Sequence, residues 1–234
     1  MSRRDEKAAA KAFKRSDREW RRLVVFAEGR SDHAHLGPVV EQLIDHHDLP
    51  VSYLTGEADD PVLTREHPNL AAYDVGSGAV RNVLLRDLDA GILLTTTPDF
   101  DSFAVKRSLH DVHYVYLFHA VVSTHMVYRP GAFDAFDTVL CVGPHHGKEL
   151  RAEEQQRGLG RRRLVKHGYG RLDQLLAEAD AAEPEPGVVV LAGSWGEHAF
   201  METPVGSAMV GRLVAAGYDV AVRIHPMTQR RLPE

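Results

Sequence analysis

Beyond Arg22, short apolar runs rich in β-branched residues alternate with segments whose apolar residues recur at a helical period. This alternation predicts a parallel sheet whose strands are joined by crossover helices. The predicted strands are residues 23–26, 51–54, 91–95, 114–118, 138–142, 188–192 and 220–224. The sequence therefore indicates an α/β fold built from successive βαβ units.

The helical segments fill the intervals between these strands. Apolar residues between the first two strands have helical spacing, and Pro38 is suited to the first turn of that helix. They are Leu36, Val39, Val40, Leu43 and Ile44. Further helices are predicted near residues 80–88, 103–109, 145–156, 171–179 and 201–216.

Residues 181–187 form the clearest linker, since Pro184 and Pro186 neither continue a helix nor join a sheet interior. We predict four parts along the chain. They are a basic N-terminal tail or helix at 1–22, a Rossmann-like domain at 23–180, the linker at 181–187, and the start of a second domain at 188–234. The second domain has only strand, helix and strand, whereas a Rossmann-like half needs a βαβαβ unit, so we expect it to be incomplete.

Composition and charge narrow the class of protein. The chain has 234 residues, of which 44% are hydrophobic and 26% charged, as expected of a globular protein with a substantial core. No apolar run is long enough for a spanning helix, no secretory signal is visible, and Cys141 is the only cysteine. These features predict a cytoplasmic protein without disulfides or a cysteine-based zinc site.

The net charge of −5 is unevenly distributed. Residues 1–22 carry nine Lys and Arg against four Asp and Glu, whereas the remaining chain carries 19 against 29. The acidic body argues against nucleic-acid binding, and the basic segment suits an anionic surface. If the segment is helical, Ala9, Phe13 and Trp20 lie near one stripe. Two interpretations stay open: these aromatic residues dock on the protein's own body, or they anchor the segment to acidic lipids.

Polar strand-to-helix turns are the candidate site, because ligands of parallel sheets bind beyond the carboxyl ends of the strands. These turns are residues 28–35, 95–99, 118–120, 143–146 and 193–197. They contain neither the glycine fingerprint of dinucleotide-binding proteins nor a P-loop. The fourteen histidines include no H-E-x-x-H motif, so we expect no catalytic metal.

Two histidines follow apolar strands in separate predicted domains. His119 ends the strand at 114–118, where an imidazole can take a proton from an attacking hydroxyl; a hydrogen-bonded core histidine is the alternative. His225 has the matching place in the second domain, close to Arg223. A pair of cation-capable side chains suits a phosphate or pyrophosphate.

Six segments resemble, in order, the CDP-glycerol glycerophosphotransferases of teichoic acid synthesis. They are YLFH at 116 with STH at 123, FDAFD at 133, VGPHH at 142, KHGYGRLD at 166, AGSWG at 192 and RIHP at 223. Each segment alone is a weak signal, but their order and spacing match along nearly the whole chain after Arg22. The resemblance implies a GT-B-like fold of two Rossmann-like, doubly wound parallel-sheet domains, the second incomplete here.

The same resemblance implies an activity and a set of residues. The activity is transfer of glycerol phosphate from CDP-glycerol to a lipid-linked or polymeric polyol-phosphate acceptor, by an enzyme bound peripherally to the inner face of the cell membrane. It implies that His119 and His225 are catalytic, and no cofactor is expected besides the donor substrate. The residues predicted to bind substrate are Glu28, Arg30, Ser31, Asp32, His125, His145, His146, Arg171, Ser194, Trp195 and Arg223.

The sequence departs from the family pattern at three points. Ala120 replaces the glycine expected after the first histidine, Gly193 replaces the usual proline before Ser194, and the nucleotide-binding part expected after Glu234 is missing. We therefore expect a fragment, a frameshifted copy or a short form. Two alternative functions stay open: another GT-B enzyme, such as a sugar-nucleotide glycosyltransferase or epimerase, and a non-catalytic acceptor-binding module.

Overall fold

The computed structural model describes residues 2–101, 105–183, 187–196 and 198–231. The strands are β1 (Leu23–Ala27), β2 (Val51–Thr55), β3 (Leu70–Asp74), β4 (Ile92–Thr95), β5 (His113–Leu117), β6 (Thr138–Cys141), β7 (Arg163–Lys166), β8 (Val188–Ala192) and β9 (Asp219–Arg223). The helices are α1 (Arg3–Arg15), α2 (Arg30–Glu41), α3 (Ala79–Arg86), α4 (Thr124–Val127), α5 (Pro144–Arg157), α6 (Gly170–Asp180), α7 (Pro204–Ala215) and α8 (Pro226–Arg231).

Strands β1 to β7 form one parallel sheet in the order β3-β2-β1-β4-β5-β6-β7. The chain winds outward from β1 to β3, returns to β4 beside β1, and then winds outward in the opposite direction to β7. The order of strands thus reverses between β1 and β4. In a doubly wound sheet, this reversal opens a crevice at the carboxyl ends of the two strands, where ligands bind.

The central strands have apolar residues on both faces because helices cover both sides of the sheet. Within β1, Val24 and Phe26 pack into one buried cluster, whereas Val25 and Ala27 pack into another. The first cluster also contains a group of aromatic rings around Tyr116, whose centroid lies 5.0 Å from that of Phe118. Burial on both faces explains why these strands read as continuous apolar runs in the sequence.

Two strands of the sheet, β3 and β7, were not predicted. Both lie at its edges, where one side of the strand has no neighbour. β3 has the sequence LAAYD, and β7 has the sequence RLVK with a charged residue at each end. Edge strands of this kind carry small or charged residues that limit pairing with other chains, so they lack the apolar signal of central strands.

Helix α2 begins earlier than predicted, at Arg30, so Pro38 lies inside the helix and not in its first turn. A proline has no backbone N–H and removes one hydrogen bond from the helix interior. The chain continues into a wider π-helical turn at Gln42–His46 before β2. A local widening of this kind is a common response of a helix to an interrupted hydrogen-bond ladder.

Two other helix predictions need correction. In the predicted helix at 103–109, residues 105–109 are not helical, and residues 103 and 104 lie outside the described part of the chain. The backbone there bonds to side chains instead: the Arg107 N–H donates to Asp101, and the Ser108 N–H donates to the Tyr114 hydroxyl at 2.7 Å. The predicted helix at 201–216 is broken at Thr203, which caps α7, because Pro204 suits only the first turn.

The N-terminal segment is helical and packs on the large sheet unit. Phe13 of α1 is 1% exposed, and its ring meets that of Tyr73 edge to face at 5.6 Å. Ala10 is buried on the same face of the helix. Of the two interpretations left open by the sequence, the burial of Phe13 favours the one in which the helix docks on the protein's own body.

The chain divides into two compact units, Met1–Ala177 (unit 1) and Glu178–Glu234 (unit 2). In unit 2, β8 and β9 pair in parallel and α7 connects them. The division falls near the predicted linker, whose residues 184–186 lie outside the described part of the chain. The boundaries 1–22, 23–180, 181–187 and 188–234 therefore stay predictions.

Candidate functional site

The turns that follow β1, β4, β5 and β7 place polar side chains at the carboxyl edge of the unit 1 sheet. The β1 turn leads into α2, and the β4 turn contains Thr96 and Thr97, which are 2% and 9% exposed. The β5 turn contains His119 and the β7 turn contains Tyr169. These turns lie at the edge of the sheet where the order of strands reverses, so the sheet topology brings the candidate site residues together.

His119 is a partly buried, uncharged base at neutral pH. Burial lowers the pKa of its imidazole, while the charge of Asp32 and the Thr96 backbone oppose that effect. Its Nδ1 atom lies 3.5 Å from the hydroxyl oxygen of Tyr116. An unprotonated imidazole next to a carboxylate is able to accept a proton, and the carboxylate stabilises the imidazolium that results.

Asp32 lies in the first turn of α2, near enough to His119 for the two charges to interact. Burial raises the pKa of its carboxyl group, whereas the Glu28 backbone N–H, which donates to its Oδ2 at 2.8 Å, lowers it, as does the nearby His119. Burial also raises the pKa of Glu28, and the neighbouring Asp32 adds to the rise. The two carboxyl groups are thus close enough to influence each other, with the side chain of Arg81 partly offsetting the charge on Glu28.

Two aromatic residues that the sequence analysis did not select complete this cluster. The His35 ring lies 5.8 Å from that of His119 and stacks on Tyr169, also at 5.8 Å. Burial lowers the pKa of His35 to about 4, and the charges of His119 and Arg171 act in the same direction. Among the predicted site residues, the structure therefore brings together Glu28, Asp32, His119 and Arg171.

The other predicted residues of the β1 turn point to different partners. Arg30 is exposed, and its guanidinium group forms an ion pair with Asp59 at 3.0 Å. Its backbone N–H donates to Glu57 at 3.0 Å. Ser31 is exposed in the first turn of α2. The Arg30 side chain is thus paired with Asp59, whereas Asp32 interacts electrostatically with His119.

Two of the predicted histidines, His145 and His146, bond to the segment that follows His119. His145 and His146 donate through Nε2 to the carbonyl oxygens of Val121 and Val122, at 3.1 and 2.9 Å. His146 is fully buried, its ring packs on Phe118, and its Nδ1 accepts the Val142 N–H. With both ring nitrogens engaged, His146 is structural, which corrects its prediction as a substrate-binding residue.

His125 lies in the same region but is exposed. Its Nε2 atom donates to the carbonyl oxygen of Glu149 at 3.1 Å. The Glu149 carboxylate in turn accepts from the Thr124 backbone and hydroxyl, at 2.6 and 2.7 Å. Helix α5 therefore holds the short helix α4 through side chains, and His125 stands at the outer end of that contact.

The remaining predicted residues lie in unit 2, after its two strands. Trp195 is 46% exposed, and its ring centroid lies 6.1 Å from that of His225. The His225 Nδ1 accepts the Met227 N–H at 3.1 Å, so in the neutral ring the proton lies on Nε2. Arg223 is exposed at the end of β9, and Ser194 is exposed in the turn after β8.

Glu202 holds the two turns of unit 2 together. Its Oε1 accepts from the Gly196 N–H at 3.1 Å and from the Thr228 hydroxyl at 2.6 Å, which connects the turn after β8 to α8. The Thr228 and Gly196 hydrogen bonds lower the pKa of this carboxyl group, so it is ionised at neutral pH. Arg231 lies near its other oxygen at 3.6 Å.

Within the part of the chain that the structure describes, no three His, Cys, Asp or Glu side chains are grouped so that they could hold a metal ion. The same residues contain no helix that is long and apolar enough to cross a bilayer.

Comparison with known proteins gives matches at the level of structure. No protein-family model matches the chain, and no curated protein matches it. A structure of the wall teichoic acid polymerase TagF superposes with a TM-score of 0.58 at 14% identity. A variant of that polymerase with one histidine replaced by alanine gives 0.60 at 13% identity, and a histidine-to-asparagine variant with CDPG gives 0.56 at 12%.

The chain is similar in fold to a wall teichoic acid polymerase. The superpositions cover 98% of this chain and 63% of the polymerase chain, so it spans less than two thirds of the length of the structures it matches. The predicted fold class is confirmed: a GT-B-like α/β chain with a large doubly wound parallel sheet and a second, smaller parallel unit. The resemblance to the CDP-glycerol glycerophosphotransferases is thereby confirmed at the level of the fold.

The depressed pKa of His35 predicts that this residue makes unfolding pH-dependent. Below its ordinary pKa of 6.5, the unfolded chain binds a proton that the folded chain excludes until about pH 4, so stability falls as the pH falls through this window. We expect the loss of unfolding free energy between pH 7.5 and pH 5 to be about 1 kcal/mol smaller in His35→Gln, after allowance for partial exposure.

Urea unfolding of both proteins at the two pH values measures this difference. His47→Gln is the matched control, because His47 is exposed after the π-helical turn. Equal pH dependence in His35→Gln and the unmodified chain would contradict a partly buried, neutral His35.

Proposed function

We propose that this chain is a transferase of the teichoic-acid type, which transfers glycerol phosphate from CDP-glycerol to a polyol-phosphate acceptor. One observation carries the proposal: a neutral imidazole, His119, whose pKa responds to the charge of Asp32, lies at the crevice of a sheet whose fold is similar to that of a wall teichoic acid polymerase. One of the similar polymerase structures was prepared with CDPG, which supports a nucleotide donor.

In the proposed reaction, His119 is the general base. The acceptor hydroxyl oxygen attacks the phosphorus that carries glycerol, a new P–O bond forms, and the bond from that phosphorus to the bridging oxygen breaks, which releases CMP. The hydroxyl proton passes to the His119 imidazole. Asp32 stabilises the resulting imidazolium through its charge, as its effect on the pKa of His119 indicates.

Unit 2 supplies groups suited to the donor. The His225 Nε2–H and the exposed Arg223 guanidinium are donors for phosphate oxygens, and the exposed Trp195 ring offers a face for a base. Glu202 connects the turn after β8 to α8. The alternative, another GT-B enzyme with a UDP-sugar donor, would use the same phosphate-binding groups with a different base and sugar.

We also propose that the protein acts at the cytoplasmic face of a membrane, held there by charge. Helices α1 and α3 enclose a groove of about 480 Å³, here called the α1–α3 groove. Its lining is Arg3, Lys7, Lys11, Lys14 and Arg15 with Ala10, Ala79, Val80, Val83 and Leu84. Since Phe13 is buried, these cations would bind anionic headgroups without a deeply inserted aromatic anchor.

His119→Ala is expected to lower turnover by about 10²- to 10⁴-fold, because a positioned general base contributes that much to the rate. The measurement is CMP release from CDP-glycerol in the presence of a glycerol-phosphate oligomer. His47→Ala is the control, since His47 is exposed and distant from the carboxyl edge of the sheet. Turnover within a few-fold of normal, in a His119→Ala protein with an unchanged melting temperature, would end the base assignment and direct attention to His125.

CDP-glycerol is expected to raise the melting temperature more than a UDP-sugar does, and His225→Ala and Arg223→Ala should each reduce that rise. A ligand at 100 times its Kd stabilises the folded state by about 2.7 kcal/mol, so loss of a phosphate contact is readily measured. Arg212→Ala is the matched control, because Arg212 is an exposed cation in α7. A larger shift with the UDP-sugar would support the alternative function instead.

Binding to anionic vesicles is expected to exceed binding to neutral vesicles and to decrease as salt increases, because each basic residue near an anionic surface contributes about 1 kcal/mol that salt screens. Reversing charge in the groove with Lys7→Glu and Lys11→Glu should weaken sedimentation with the vesicles. The control pair, Lys148→Glu with Arg212→Glu, changes net charge equally at other exposed positions. Equal loss from both pairs would remove the α1–α3 groove from the mechanism.

A further inference from the structure

The peptide that carries His119 lies where regular secondary structure has ended. Strand β5 ends at Leu117 and helix α4 begins at Thr124, so residues 118–123 belong to neither. Phe118 keeps only a long sheet-like hydrogen bond, from its N–H to the Leu140 carbonyl at 3.4 Å. A general base needs a fixed orientation, because a displacement of about 1 Å costs up to about 10²-fold in rate. The position of His119 therefore depends on contacts outside the sheet ladder.

Tyr169 makes such a contact. Its hydroxyl donates to the carbonyl oxygen of His119 at 3.1 Å, across 50 positions of sequence. The bond connects the β7 turn directly to the backbone from which the His119 imidazole extends. Its geometry is that of an ordinary hydrogen bond, which makes Tyr169 a brace on that peptide.

The β7 turn is itself firmly held. The N–H groups of His167 and Gly168 both donate to the Cys141 carbonyl oxygen, at 3.0 and 3.2 Å, which fixes the turn to the end of β6. Gly168 has a φ of +88°, a left-handed conformation that favours glycine. At Gly170, an added Cβ would meet Pro38 at 3.5 Å, so α6 starts in close contact with α2. Tyr169 thus extends from an anchored backbone.

The His35 ring lies next to both the Tyr169 ring and the His119 ring. Its imidazole stacks on Tyr169 with an angle of 21° between the planes and meets His119 at 58°. Because burial keeps His35 uncharged, it fills this space without adding a positive charge that would oppose proton transfer to His119. A ring in this position limits rotation of both neighbours.

We propose that Tyr169 is a positioning residue for His119, acting through its hydrogen bond to the His119 carbonyl with His35 as the neutral ring between them. The inference rests on the proposed function, in which His119 is the base. Tyr169 lies in a turn that is remote from His119 in sequence. It acts on the His119 backbone through its hydroxyl group and takes no part in the chemical step.

The test compares Tyr169→Phe, which removes the hydroxyl and keeps the ring, with Tyr218→Phe as a matched control in unit 2. We expect Tyr169→Phe to lower kcat about 5- to 20-fold with KM within twofold, because it loosens the base without removing a substrate contact. Tyr218 is exposed and distant in sequence from the brace, so its variant should keep normal kcat and KM.

A second readout does not depend on turnover. The rate at which diethyl pyrocarbonate modifies His119, followed by mass spectrometry, is expected to change about threefold or more in Tyr169→Phe and to stay constant in Tyr218→Phe, since loss of the hydrogen bond alters the orientation and solvation of the ring. His35→Phe keeps a neutral ring and should change this rate less than His35→Ala does.

The two readouts separate the two claims. Unchanged kcat together with an unchanged rate of His119 modification in Tyr169→Phe would overturn the positioning role. An equal loss of kcat in Tyr218→Phe would also overturn it. If the unmodified chain has no turnover with CDP-glycerol, the proposed function fails, and the modification rates still decide whether Tyr169 positions His119.

Discussion

All seven strands of the large sheet run in the same direction, and this constraint decides where the candidate site of unit 1 lies. Every strand that leads into a helix then does so at one edge, so turns far apart in sequence meet in space. Asp32, His119 and Tyr169 come from three different turns and still form one cluster, connected by charge and by a hydrogen bond of 3.1 Å. Reversal of the strand order between β1 and β4 adds a crevice at that edge.

The same packing sets the charge state of the cluster. Helices on both faces remove solvent from the edge, which disfavours an imidazolium more than a neutral imidazole. The effect is large at His35, with a pKa of about 4, and is moderated at His119 by the carboxylate of Asp32. The two histidines lie in similar surroundings but experience different charges. The negative charge of Asp32 favours protonation of His119, whereas the charges of His119 and Arg171 disfavour protonation of His35.

The sequence predicted those parts of the fold that depend on local burial. Central strands such as β1 and β5 are apolar on both faces and were recognised, whereas the edge strands β3 and β7 carry too few apolar residues to be distinguished from loops. Pro38 was misjudged because a proline inside a helix is tolerated only when tertiary packing compensates for the lost hydrogen bond. Phe13 was ambiguous because a helical stripe does not reveal whether it faces protein or lipid.

Prediction of the site followed the same division. The prediction of His119 rests on its position at the end of an apolar strand, which is a property of local sequence, whereas Tyr169 and His35 enter the candidate site only through contacts with distant turns. The string KHGYG around Tyr169 carried a signal, since the resemblance included it, but nothing in it indicates which peptide the hydroxyl reaches. His146 illustrates the opposite error: its place in a motif suggested substrate, yet its ring nitrogens bond to the Val122 carbonyl and the Val142 N–H.

Two of the histidines near His119 use their ring nitrogens to bind the protein backbone. His145 and His146 donate to the segment just after His119, and Tyr169 donates to His119 itself, so His119 lies between two sets of hydrogen bonds from α5 and from the β7 turn. Bonds from two directions fix a peptide that neither a strand nor a helix would hold. An irregular segment can thus carry a precisely oriented imidazole, because the rigid elements on either side, and not the segment itself, provide the rigidity.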